Sequence, residues 1–300
     1  MAPTEQGKFD PPPEALFSMN ALRRAWRLVR RNGASPGTDG VTQEQFEANL
    51  DLELNRLRQQ ILGGTYQPLP VRRFYVKKTS GKQRPISIWS MRDRVAQRVA
   101  HDYLTPLLES LFLDCSYGFR LGRSVEHAVQ AVIQARDSGL VWVLDTDIGD
   151  CFDSIRLDLL TAQLHRVVPS PFVLKLIELW LYTPVGGRQS NEIAGVSQGG
   201  VISPQLANLY LHRFDEMVIA ALPQVRLVRF ADDFVILCRS EQEAAWSLDV
   251  ARRSLENLRL ALNMRKTRLV HFDEGFTFLG FTFKGRWHQA ADPQSNKEEM

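Results

Sequence analysis

Apolar and polar positions follow two periods along this chain, and the changes of period mark its elements. From Met91 to Phe112 apolar residues fall at helical spacing, with Val95, Val99, Tyr103 and Leu107 on one face. Ser124 opens a second such stretch, in which Val125, Ala128, Val129, Val132 and Ile133 repeat every three or four residues, and Gly139 closes it. The segment "SMNALRRAWRLVRRNG" reads as a basic helix ending at Gly33, and residues 41–62 read as helical again. Helices are also predicted around 156–168, 171–182 and 241–262, and after Ser203–Pro204, an N-cap and first-turn pair.

Other stretches change to a strand pattern. "PVRRFYVKKTSGKQRPISIW" predicts a basic hairpin, with arms Val71–Lys77 and Arg84–Trp89 around the turn "TSGK". "LVWVLDTDI" (140–148) is a nearly continuous apolar run ending in acids, the pattern of a strand buried on both faces. "VRLVRFADDFVILC" offers two β-rich arms around a pair of acids. "TRLVHF" and "GFTFLGFTF" read as strands joined at "DEG", and "HQAADPQSNKEEM" as a polar, frayed tail. Strand, helices, hairpin, helix and strand in that order predict an α+β layer: an antiparallel sheet with helices on one face.

Composition narrows the class. The 300 residues are 44% hydrophobic and 24% charged, as in an ordinary soluble domain, and suffice for one or two domains. Cys115, Cys151 and Cys238 are far apart and odd in number, which fits a reducing cytoplasm and no disulfide or zinc framework. The N-terminus lacks the charge-then-apolar pattern of a signal peptide, and no run is long enough to span a bilayer. The net charge is only +3, but the basic residues are clustered. Arg72, Arg73, Lys77, Lys78, Lys82, Arg84, Arg92, Arg94 and Arg98 share their stretch with a single acid, Asp93. Arg23, Arg24, Arg27, Arg30 and Arg31 form a second cluster, and Arg252, Arg253, Arg259, Arg265, Lys266 and Arg268 a third. One such cluster is an ordinary solvated face; three point to nucleic acid.

Carboxylates carry the chemistry. Asp145, Asp147, Asp150 and Asp153 gather at the end of the apolar run, and Asp147 directly continues it. Asp232 and Asp233 lie at a hairpin tip, which alone reads as a turn. If the strands pair, three carboxylates converge, and they repel unless cations neutralise them. Mg²⁺ takes oxygen ligands and leaves room for phosphates.

"DIGDCFDSI", "SQGGVISPQLANLYLHRFD", "RFADDFVIL" and "FTFLGF" resemble, in order, the palm motifs of reverse transcriptases, close to the bacterial group II intron lineage. "NGASPGTDGVT", "GKQRPISI" and "SYGFRLGRSVEHAV" are similar to that family's N-terminal and fingers blocks, so the resemblance covers about 19–283. It implies a right-hand polymerase. Residues 1–18 would be a flexible lead, 19–139 the N-terminal extension and fingers with part of the palm, 140–285 the palm, and 286–300 a polar tail. It assigns Asp147, Asp232 and Asp233 to catalysis, and these with Ile148 to two Mg²⁺ ions, for which Mn²⁺ can substitute. Lys77 or Lys78, Arg84, Gly149, Asp150, Cys151, Phe152, Gln198 and Lys266 fall at dNTP positions. Of these, Phe152 falls where the family carries an aromatic gate against the ribose 2′-hydroxyl, and Lys266 where a lysine can donate a proton to the leaving pyrophosphate. Gly199 and Gly200 would let backbone approach the base pair. Phe278, Leu279, Gly280 and Phe281 match the primer grip, and Phe230 departs from the family's usual Tyr.

The implied partners are an RNA template, a DNA or RNA primer and dNTPs, with intron RNA or CRISPR integrase proteins as setting-dependent partners and no membrane. The sequence stops after the grip hairpin, so the thumb and maturase domain is expected to be absent: either the chain is truncated, or a partner or a separate chain supplies that wall. That shortness leans toward a CRISPR-associated enzyme of antiviral defence that acquires spacers from RNA. A non-catalytic RNA-binding or splicing factor would not need the three acids, and an RNA-templated RNA polymerase is disfavoured by Phe152.

Overall fold

A computed structural model describes residues 10–33, 35–77, 83–185 and 195–290. The chain begins with α1 (Pro13–Leu16), α2 (Met19–Arg31), α3 (Gln43–Ala48) and α4 (Leu50–Leu62). A hairpin, β1 (Arg72–Lys77) and β2 (Gln83–Ile88), leads to α5 (Met91–Glu109) and α6 (Val125–Asp137). Then come β3 (Trp142–Asp147), α7 (Cys151–Ser154), α8 (Leu157–Val167), α9 (Pro171–Leu181) and α10 (Ser203–Ala221). The last part holds β4 (Arg226–Phe230), β5 (Asp233–Cys238), α11 (Glu241–Asn257), β6 (Arg268–His271), β7 (Phe276–Phe278), β8 (Phe281–Lys284) and β9 (Trp287–Ala290). The "TSGK" turn, Lys78 and the tail from residue 291 lie outside the described residues. Among the described residues no helix is long and apolar enough to cross a membrane.

Contacts divide the chain into two units. The first takes the described parts of Met1–Lys78, Gln83–Ser110 and Leu157–Leu206. Three of its helices start on hydroxyl caps: Ser18 accepts from the Ala21 amide, Ser90 from that of Asp93, and Thr42 forms a capping box with Gln45. The apolar stripe Leu22, Ala25, Trp26 and Val29 of α2 packs on α5. Asp93 is fully buried on α5 and accepts from the Tyr66 hydroxyl at 2.6 Å, the Leu69 amide at 3.0 Å and the Ser90 hydroxyl at 2.7 Å. Trp180 of α9 donates to the same Tyr66 hydroxyl at 2.9 Å, so one polar cluster joins three segments. The glycine loop after residue 195 lies along β2, where the Ser87 amide donates to the Gln198 carbonyl at 2.6 Å. Gly199 has φ +114, and a Cβ there would stand 2.2 Å from the Ser87 carbonyl oxygen. Gly200 is crowded too, but by side chains: a Cβ there would stand 2.5 Å from the Ser203 hydroxyl and 3.2 Å from atoms of Gln97 and Trp89. These two glycines are thus required by the chain's own packing, a reason different from the approach of a base pair expected from the sequence.

The second unit takes the described parts of Leu111–Arg156 and Ala207–Met300. Its centre is an antiparallel sheet of order β4-β5-β3-β6, so the apolar run 142–147 is an inner strand, as its continuous hydrophobicity requires. Alternation puts Leu144, Phe234 and Ile236 on one face, where Phe214 of α10 meets Phe234 and Ser247 of α11 meets Cys238. Val143, Val235, Leu237, Val228 and Val270 form the other face. There α6 and the phenylalanines of the small sheet β7-β8-β9 join them in one apolar cluster. The helices expected on one face are therefore α10 and α11, and α6 adds to the apolar end of the opposite face.

Three local readings change. Helix α11 stops at Asn257, five residues before the expected 262, because Arg259 turns to φ +58 and the Leu260 amide closes on the Leu255 carbonyl. "GFTFLGFTF" is a hairpin, as the primer-grip resemblance implies, but it belongs to a different sheet from "TRLVHF". Trp287–Ala290, read as a frayed tail, pairs with β8 as an edge strand.

Candidate active site

Strand pairing assembles the acids. Asp147, the last residue of β3, lies directly opposite Asp233, the first of β5. Period-two alternation puts Asp145 on the same face, so this face runs from valines under α6 to three carboxylates at its far end. Asp232 sits in the two-residue turn between β4 and β5, after Ala231 at φ +59. Its carbonyl accepts the Ile148 amide at 2.9 Å, which ties the hairpin tip to the exit of β3. On the other side of that exit, the Asn263 amide donates to the Asp147 carbonyl and the Gly149 amide to the Ala261 carbonyl, both at 2.9 Å.

The electrostatics are strained. Burial first, then the charges of Asp145, Asp147 and Asp232, push Asp233 up to about 7. Burial also lifts Asp145 to about 6, against the pull of Arg268, whose guanidinium stands 3.5 Å away. Lys266 Nζ donates to Asp147 Oδ2 at 2.7 Å, and that bond raises the lysine above its ordinary value. The second Asp147 oxygen, Oδ1, is buried with no hydrogen-bond partner. Among the described residues no three His, Cys, Asp or Glu side chains form a closed metal cage. Mg²⁺ does not require one, since it binds through one or two carboxylates and fills its remaining positions with water and phosphate oxygens. An orphaned carboxylate oxygen beside an acid held near neutral fits such an ion.

The other expected residues distribute as follows. Asp150 (φ +42) and Gly149 form the turn into α7, where Cys151 is buried and Phe152 half-buried, all in the second unit. The hairpin expected to grip the primer turns on Leu279 (φ +52) and Gly280 (φ +76), between a buried Phe278 and a half-buried Phe281. Two positive φ values in a two-residue turn match the twist of the flanking strands. Lys77, Arg84 and Gln198 belong to the first unit: the first two are strand positions of β1 and β2, and Gln198 is in the glycine loop.

One buried charged group beside the acids was not singled out from the sequence. Arg229, in the middle of β4, is fully buried and bonds Asp215, Asn208 and Ser116. A charged residue inside "VRLVRF" was the visible signal, because a buried cation needs partners; their positions were not visible.

Known proteins place this geometry. A family model described as reverse transcriptase (RNA-dependent DNA polymerase) matches residues 76–283. The chain is 35% identical to protein YkfC of Escherichia coli over 84% of its own length and 77% of that protein's. It is 26% identical to the group II intron-encoded protein LtrA of Lactococcus lactis over 86% of its length, but spans only 54% of LtrA. In a solved partial Cas6-RT-Cas1–Cas2 complex, a chain superposes with TM-score 0.50 and 25% identity, over 82% of this chain and 41% of that one. With paired aspartates at the head of an antiparallel sheet, and a family match across 76–283, the chain belongs to the reverse transcriptase (RNA-dependent DNA polymerase) family.

Proposed function

We propose that the chain is an RNA-directed DNA polymerase that adds dNTPs to a primer 3′-hydroxyl on an RNA template. The observation that carries this reading is the pairing of Asp147 with Asp233, beside Asp232 at a tip stitched to Ile148. Asp147, Asp232 and Asp233, with the backbone at Ile148, are the positions that would hold two divalent ions, Mg²⁺ in the first instance. Such a pair of ions supplies activation of the attacking oxygen and charge stabilisation at the leaving one.

The remaining roles follow from the chain's own residues. The bond to Asp147 keeps Lys266 protonated beside the acids, so its charge can meet a leaving pyrophosphate, and proton donation requires that bond to be given up first. In the turn Gly149–Cys151, Asp150 and Cys151 offer backbone N–H groups to a triphosphate, whereas the Gly149 N–H is already donated to the Ala261 carbonyl. Phe152 presents a ring as the gate against a 2′-hydroxyl. Arg84 and one of Lys77 and Lys78 neutralise phosphate charge, Gln198 contacts the nucleotide, and Phe278–Phe281 grip the primer.

The likeness to LtrA supports an intron setting, and the likeness to the chain in the Cas6-RT-Cas1–Cas2 complex supports a role with an integrase. Flanking intron RNA or neighbouring integrase genes distinguish the two. The activity itself is tested by extension of oligo(dT) on poly(rA) with Mg²⁺. Asp232→Asn is expected to abolish extension while unfolding stays cooperative; full activity in that variant would overturn the reading.

A further inference from the structure

The tip that carries Asp232 and Asp233 is an unusual piece of backbone. Ala231, a residue with a side chain, sits at φ +59, a conformation that persists only when its surroundings hold it. Gly118 presses against it from outside the hairpin, so closely that a Cβ there would stand 2.5 Å from the Ala231 nitrogen. Behind both lies Arg229. Its backbone amide donates to the Cys115 carbonyl and its carbonyl accepts from the Tyr117 amide, each at 2.8 Å, which adds segment 115–117 to the edge of β4.

The Arg229 side chain uses all five of its N–H groups. Nε and Nη2 donate to the two oxygens of Asp215, itself fully buried on α10. Nη2 also donates to the Ser116 hydroxyl at 2.9 Å, and Nη1 to the Asn208 side-chain oxygen at 3.0 Å. The last N–H, on Nη1, goes to the Ala231 carbonyl at 2.9 Å, one residue before Asp232. Asn208 closes the ring by donating to the Gly118 carbonyl at 2.7 Å, so one amide braces both sides of the tip.

A fully satisfied guanidinium this deep is a rigid fixture, and an ammonium with three donors and no planar fork cannot reproduce it. We propose that Arg229, locked by Asp215, Asn208 and Ser116, is a positioning residue that sets the placement of Asp232 and Asp233. The catalytic consequence rests on the polymerase reading; the mechanical claim does not.

The test follows two variants, Ser116→Ala and Arg229→Lys, by amide hydrogen exchange and by primer extension on poly(rA)/oligo(dT). In both variants, amides 230–233 are expected to exchange at least about tenfold faster while those of α11 keep their rates. The turnover number should fall by about 10- to 100-fold with the dNTP KM little changed, because misplacing a reacting group costs rate rather than binding. The Mg²⁺ concentration for half-maximal rate should rise. Unchanged exchange at the tip overturns the proposal. So does faster exchange with an unchanged turnover number, or exchange that rises equally across the sheet while activity falls only with the folded fraction. If Arg229→Lys does not fold, Ser116→Ala decides. If the wild type extends no primer, the polymerase reading fails by itself, and the exchange rates still decide whether Arg229 holds the tip.

Discussion

Asp233 allows the charge balance of the carboxylate cluster to be tested without substrate. Its ordinary value is 3.8, and burial together with three neighbouring acids lifts it to about 7. The folded chain therefore holds this proton more tightly than the unfolded chain does. In a metal chelator, the stabilisation from this group is whole below about pH 4 and is lost as pH rises through about 7. At about 1.4 kcal/mol per tenfold change, the full effect is about 4 kcal/mol, of which about 2–3 kcal/mol falls between pH 5 and 8. Asp233→Asn removes the titration while keeping the shape. Urea unfolding of both proteins in EDTA should show the wild type losing about 2–3 kcal/mol relative to the variant between pH 5 and pH 8. Excess Mg²⁺ at pH 8 should return most of that loss to the wild type and less to the variant, because only the wild type has the full set of repelling charges to neutralise. A gap that stays constant from pH 5 to 8 would refute the reasoning, since Asp233 would then titrate as an ordinary carboxylate.

Two further substitutions probe other parts of the chain. Phe152→Val should relax discrimination against ribonucleotides, measured as the dNTP-to-NTP ratio of kcat/KM; a wild type that already uses both equally removes the gate. Gly199→Ala should destabilise the protein by about 1–3 kcal/mol in thermal or urea unfolding, because its Cβ meets the Ser87 carbonyl and its φ is positive; a neutral effect would mean that the loop moves freely off β2.

The sequence was most legible where the determinants are local. The cap at Ser124, the run at 142–147 and the hairpin around Ala231–Asp232 all lie within a few residues of what they control. Asp147 stood out because it continues an apolar run, and the sheet brings it to Asp233 as period-two counting requires. What stayed hidden depends on distant partners. Arg229 draws on Ser116, Asn208 and Asp215, and Gly199 answers to a carbonyl on β2. The early end of α11 comes from Arg259 adopting a left-handed φ, which its side-chain type does not advertise. Strand β9 is exposed at every position and carries apolar residues only at its two ends, so it lacks the apolar alternation that announces a strand and forms because β8 offers an open edge.

The sheet order β4-β5-β3-β6 also sets a timetable for the chain's synthesis. Strand β3 is complete at Asp147, but its two neighbours are complete only at Cys238 and His271. At about 5–20 residues per second, this inner strand waits on the order of ten seconds with both edges bare. Aggregation during expression should therefore originate in nascent chains rather than in the finished protein, and cooling or chaperones that shield residues 140–148 act on the step that limits yield.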